Sequence, residues 1–240
     1  MFSKKGYFAS VLVVMLLLVL ALTVSAEDGL VAHYAFEKNL VDAAGNFSAG
    51  QPIGSRIGST IGVVTDQVGE QYAEVEYVEG VEGFAAKFDG LTGVLLPSGL
   101  IDGSTYSISL WINPEVLTQH TTTFFGAVSG NSWISIVPDG PTTHFTMLWS
   151  GEKWFDATAG FTIPKNEWTH FAATVDNGHV IVYINGEEKF NETGFPDVFG
   201  SFEGDAVFAI GVNWWDAPFR GLLDELKIYN RVLSPDEILK

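Results

Sequence analysis

Past its first two dozen residues, the chain alternates apolar and polar positions with a period of two. In Ser107-Ile108-Ser109-Leu110-Trp111-Ile112 the aliphatic residues fall at every second position, the spacing of a strand with one buried face. Similar runs recur over 30–36, 106–112, 133–137, 144–149, 168–175, 179–184, 206–212 and 222–228. Turn signals separate them. Asp176-Asn177-Gly178 and Asn185-Gly186 each join two runs with residues that tolerate positive φ, as tight hairpins require. Many short strands punctuated by glycine-rich turns predict an all-β, two-sheet antiparallel jelly roll or sandwich.

One helix start stands out. Ser234-Pro235-Asp236-Glu237 sets a capping Ser, a first-turn Pro and a Glu three residues after the cap, so close to the last residue that only a short terminal turn fits. Residues 53–83 are the least regular. They hold Glu70, Glu74, Glu76, Glu79 and Glu82, with partial alternation through Val75, Tyr77 and Val81, and predict an exposed strand among long loops.

The first stretch has a different character. Lys4 and Lys5 precede an apolar run from about Phe8 to Leu22, and Val24-Ser25-Ala26 follows with small residues. That order predicts a secretory signal peptide over 1–26, cleaved after Ala26. An uncleaved membrane anchor is the alternative. Residues 27–240 then form one domain without a membrane span, and the expected location is outside the cell or in the periplasm. The formal charge is −17, which repels phosphate backbones and argues against nucleic acid as a partner. The chain has no cysteine, so it has no thiolate chemistry and no lipid-modified cysteine anchor.

At this point four stretches resemble the LamG-like jelly-roll domains of the concanavalin A-like lectin/glucanase superfamily. They are Gly29 to Glu37 with Val41 to Asn46; Ala86 to Gly90 with Tyr106 to Ile112; Glu167 to Ala172 with Val182 to Gly186; and Phe219 to Arg231 with Leu233-Ser234. The resemblance implies two antiparallel sheets with the first and last strands side by side. It also implies a structural Ca²⁺, with Glu37, Asp42, Asn46 and Asp224 at the matching positions. Carboxylates mixed with turn oxygens suit that ion. Ordinary turn acids are the competing reading of the same residues. The family's members bind glycans, mediate adhesion or accompany enzymes, and fold alone does not choose among these.

Seven tryptophans offer a second chemistry. Trp111 and Trp168 sit within strand motifs and are expected in the core, while Trp133 is open either way. Trp214 and Trp215 are adjacent, so in a strand they would face opposite sides, and at least one is expected at the surface. Indole faces stack on sugar rings while polar neighbours bond the hydroxyls. Trp214 and Trp215 with Asn213, Asp216 and Arg220 are the first candidates for ligand contact, and Trp149 and Trp154 the second.

Catalysis finds less support. Retaining glycosidases need two carboxyl groups roughly 5 Å apart, and Glu70, Glu74 and Glu76 do not match the alternating acidic strand of glucanases on this fold. His33, His120, His144, His170 and His179 are scattered singly, without triad or zinc spacing. The expectation is a secreted carbohydrate-binding, lectin-like module acting on extracellular polysaccharide. A protein-recognising adhesion domain is the alternative, and a divergent hydrolase or lyase a more distant one.

Overall fold

The computed structural model describes residues 27–57 and 74–239; the expected signal segment and Glu70 lie outside them. Among the described residues fifteen strands make two antiparallel sheets. The first holds β1 (Leu30–Tyr34), β3 (Glu76–Glu79), β4 (Phe84–Asp89), β6 (Thr105–Pro114), β11 (Thr169–Asp176), β12 (His179–Ile184), β13 (Glu187–Thr193) and β15 (Arg220–Tyr229). The second holds β2 (Gln51–Ile53), β5 (Gly93–Leu96), β7 (Phe124–Ser129), β8 (Ser132–Val137), β9 (Met147–Ser150), β10 (Phe155–Thr158) and β14 (Val207–Ile210). Their order across the second sheet is β10-β9-β8-β7-β14-β5-β2.

Alternation decides which residues meet between the sheets. Ile108, Leu110 and Ile112 of β6 pack against Phe124, Ile134, Ile136 and Leu148 of the second sheet, all fully buried. Their neighbours point outward. Trp111 is half-buried on the outer face of the first sheet, its ring 5.1 Å from that of His170, and Trp168 is half-buried too. The expectation of core packing for Trp111 is thus corrected: Ile108, Leu110 and Ile112 take the inward side, and period two sends Trp111 the other way.

The second sheet carries apolar residues on both faces. Phe125, Ala127, Trp133, Val137, Met147 and Trp149 form a separate outer cluster. A strand buried on both sides needs no polar alternation, which is why Val207-Phe208-Ala209-Ile210 reads as a continuous apolar run.

Hairpins close where the turn residues predict. Asn177 and Gly178 have φ of 48° and 86°, and Asn185 and Gly186 have φ of 51° and 80°, as two-residue turns between twisted strands demand. Both edges of the first sheet carry charge, Glu76 and Glu79 on β3 and Glu187, Glu188 and Lys189 on β13, which discourages pairing with another chain.

β15 organises the ends of the fold. It lies along β6 on one side, while Arg220–Leu223 pairs with β4 and Leu226–Tyr229 with β1 on the other. The first and last strands therefore lie side by side. A bulge marks the handover, with Glu225 at φ 51°. Beyond it the tail crosses the outer face of the first sheet. Leu233 and Ile238 cover Ala172, Tyr183 and Tyr229, and Ser107 Oγ donates to Arg231 O at 2.7 Å. Ser234 Oγ donates to Glu237 Oε2 at 2.6 Å, so the capping contact forms, yet residues 235–239 make turns rather than a helix. Among the described residues no helix is long and apolar enough to cross a membrane.

Candidate functional site

The outer face of the second sheet opens into a cleft of about 640 Å³. Its floor comes from strand register. Ser135, Trp149 and Asp156 stand opposite one another on β8, β9 and β10, so they share a face, and Trp133 lies two residues before Ser135 on that face. The Trp133 and Trp149 rings meet edge-on at 4.7 Å, and each is under a tenth exposed. Room for the Trp133 indole depends on Gly151, where an added Cβ would fall 2.0 Å from the ring. His120, from the loop after β6, stacks on Trp149 at 5.6 Å and 23°.

Two tryptophans wall this floor. Trp154 is 69% exposed and Trp215 45% exposed, and their rings lie 6.2 and 5.8 Å from Trp133. Trp154 ends a single 3-10 turn, Glu152–Trp154, in which Lys153 and Trp154 both take positive φ, at 59° and 52°. Non-glycine residues in that region are held there by their surroundings at a cost. Here the turn lifts the indole off the sheet.

The opposite wall is built by Asn213. Almost wholly buried, it accepts from the Trp215 and Asp216 amides through Oδ1, both at 2.8 Å, and donates to Asp216 Oδ2 at 2.7 Å. Trp214 turns beneath, its ring 5.0 Å from Phe125, and leaves Trp215 outward. Trp149, Trp154, Trp215 and Asp216 thus line the cleft, while Asn213 and Trp214 support it from below. Arg220 is elsewhere. It belongs to β15 of the other sheet, where it pairs with Glu115 at 2.6 Å. Trp133, which the sequence leaves open between core and surface, forms the floor, and His120 and Asp156 line the cleft without having been read as ligand contacts from the sequence.

The residues matched to calcium fall in two turns, Asp42 with Asn46 in one and Glu37 with Asp224 at the Gly80–Phe84 turn, and backbone amides engage their carboxylates. Asp42 accepts four amides, His33 and Ala44 on Oδ1 and Asn46 and Phe47 on Oδ2, at 2.8–3.0 Å. The Asn46 side chain donates to Val31 O. Glu37 accepts from the Phe84 amide, and Asp224, fully buried, accepts from those of Val81, Glu82 and Glu225. An amide aimed at a carboxylate oxygen puts positive charge where a cation would sit. Among the described residues no three acidic or imidazole side chains gather as a metal site. The four residues therefore fit a set of turn anchors better than a calcium cage.

Potential catalytic groups are dispersed as well. Glu74, Glu79 and Glu82 are exposed, and Glu76 is bonded to Lys87. His33 bonds Glu225, His144 bonds Asp139 and His179 bonds Asn191. His170 Nε2 meets Ser109 Oγ at 2.8 Å between neighbouring strands of the first sheet, away from the cleft, but its Nδ1 has no partner, so no acid orients it as in a triad.

A family model described as the concanavalin A-like lectin/glucanases superfamily matches residues 88–239. Domain 4 of AbnA, a GH43 extracellular arabinanase from Geobacillus stearothermophilus, solved in complex with arabinotriose, is 48% identical. That match covers 87% of this chain and 96% of that one, with a TM-score of 0.78. The binding domain of Paraclostridial Mosquitocidal Protein 1 has a TM-score of 0.61 at 16% identity, over 88% of this chain and 51% of its own length. A Trypanosoma rangeli sialidase mutant has a TM-score of 0.54 at 16% identity, over 88% of this chain and 32% of its own. These last two likenesses concern the fold alone. No curated protein sequence matches.

Proposed function

The chain belongs to the concanavalin A-like lectin/glucanase superfamily, and from that premise we propose that it is a secreted carbohydrate-binding module whose tryptophan cleft takes an arabinan-type polysaccharide. One observation carries the reading: two indoles, Trp154 and Trp215, stand exposed over a packed aromatic floor, beside the carboxylates of Asp156 and Asp216. Exposed flat apolar faces next to hydroxyl acceptors suit sugar rings, whose C–H faces are apolar and whose edges are polar. The solved relative with arabinotriose supports this sugar class. The basic, apolar and small-residue order of residues 1–26, with the extracellular relative, supports export.

Binding, rather than turnover, is the role assigned. Asp216 is tied to Asn213, and the glutamates of 74–82 lie on another sheet, away from the cleft. Affinity gels cast with arabinan, xylan, β-glucan and polygalacturonate test the reading. Retardation by arabinan, lost in the Trp154→Ala/Trp215→Ala double variant, is the expected result. No retardation by any glycan would sink the assignment and favour a protein partner. Release of reducing ends, abolished by Asp156→Asn, would move the chain to the hydrolases.

A further inference from the structure

Asp156 differs from every other acid near the cleft. It stands directly across the β9–β10 ladder from Trp149, so their side chains share the cleft face. It is half-buried, and no described donor bonds its carboxylate. Asp216, by contrast, is held by Asn213, Asp139 by His144, and Glu152 by Ser132. Burial raises the Asp156 carboxyl above the usual carboxylate range. The carboxylate still faces the open cleft, so water reaches it, and an incoming donor takes the place of that water on a group already partly desolvated.

The rest of the lining narrows what the donor is. None of the side chains lining the cleft is Lys or Arg, and the whole chain carries −17. His120 is the one lining side chain that can carry positive charge, set against the two carboxylates of Asp156 and Asp216, which repel an anionic ligand. An ionised carboxylate only accepts, through two oxygens, so it matches a pair of hydroxyls on one sugar ring. Such a ring would lie edge-on to Asp156 with a face available to the indoles.

Resting on the glycan reading, we propose that Asp156 is a specificity-determining residue that accepts hydrogen bonds from two neighbouring free hydroxyls of a single uncharged sugar. The cleft then selects linear neutral chains. A chain branched on either hydroxyl loses one bond, and a uronate chain is repelled.

Affinity electrophoresis with linear arabinan, branched arabinan and polygalacturonate tests this, using the wild type, Asp156→Asn, Asp156→Ala and the Trp154→Ala/Trp215→Ala double variant. The wild type is expected to bind the linear chain at least threefold better than the branched one and to ignore polygalacturonate. Asp156→Asn should weaken the linear chain by about tenfold or more, since a charged hydrogen bond is lost, and should level linear against branched. Its melting temperature should hold or rise, because the unpartnered charge is gone. Wild-type affinity and preference in Asp156→Asn, with binding still lost in the tryptophan variant, would overturn the Asp156 anchor and leave the glycan reading standing. If the wild type bound none of the three, both would fall.

Discussion

Trp154 and Trp133 touch one another, yet their truncations should report on different things. Trp154 is 69% exposed, so only about a third of its surface is removed from water. A whole tryptophan buries at most ~250 Å², so roughly 70–80 Å² is at stake, and at about 25 cal/mol per Å² this is an upper bound near 2 kcal/mol. Residual burial in the unfolded chain lowers the figure to about 1.5 kcal/mol, or a melting shift of about 3–6 °C. Trp133 is 5% exposed and packed against Phe125, Trp149 and Trp215. Cutting it to Ala costs about 3–5 kcal/mol and a shift of roughly 6–20 °C. Binding should rank them otherwise. Trp154→Ala removes a wall, and loss of an aromatic anchor costs at least about 2 kcal/mol, close to 30-fold in affinity. Calorimetric melts and isothermal titration with arabino-oligosaccharide on the same samples give both numbers. Trp154→Ala that binds like wild type, or that melts as low as Trp133→Ala, would refute the reasoning.

Asp42→Ala strips the acceptor from four amides and should cost at least about 3 kcal/mol. Neither calcium nor chelator should move the wild-type melting point, and a rise of several degrees with calcium would restore the calcium site. pH should expose two buried groups that oppose each other. Burial, aided by Lys227, lowers His170 to about 4, against ~6.5 when unfolded, so acidification from about pH 6.5 to 4 protonates the unfolded chain first and stability falls. Burial raises Asp224 to about 6 despite three amide donors, so its contribution is full below about pH 4 and lost as pH rises through 6. Urea melts from pH 4 to 7 should therefore show a steeper acid loss in Asp224→Asn and a gain on acidification in His170→Gln. Superimposable profiles for all three proteins would contradict these assignments.

Much of the sandwich was legible because its strands obey period two and its hairpins carry Asn-Gly. The cleft was legible only where its residues sit in visibly polar turns, as with Trp154 and the 213–216 segment. Asp156 needed the register of β9 on β10, which follows only once Gly151–Trp154 is recognised as the intervening turn. His120 arrives from a loop with no periodicity at all. Arg220 shows the opposite failure. Four residues from Asp216 in sequence, it lies on the other sheet because the chain crosses the sandwich between them. Trp111 was open to correction from the sequence itself, since Ile108, Leu110 and Ile112 had already taken the inward parity.

The pairing of β1 with β15 has a mechanical consequence. Leu30 faces Tyr229, so the start of the first strand and the end of the last lie at the same end of one antiparallel ladder. A load pulling those two ends apart would unzip the pair, breaking its hydrogen bonds in succession, once the tail held by Arg231 and Ile238 had peeled away. A load between either end and a ligand in the cleft would instead pass through both sheets and the core between them. Single-molecule pulling along the two directions should give a low rupture force for the first and a higher one for the second.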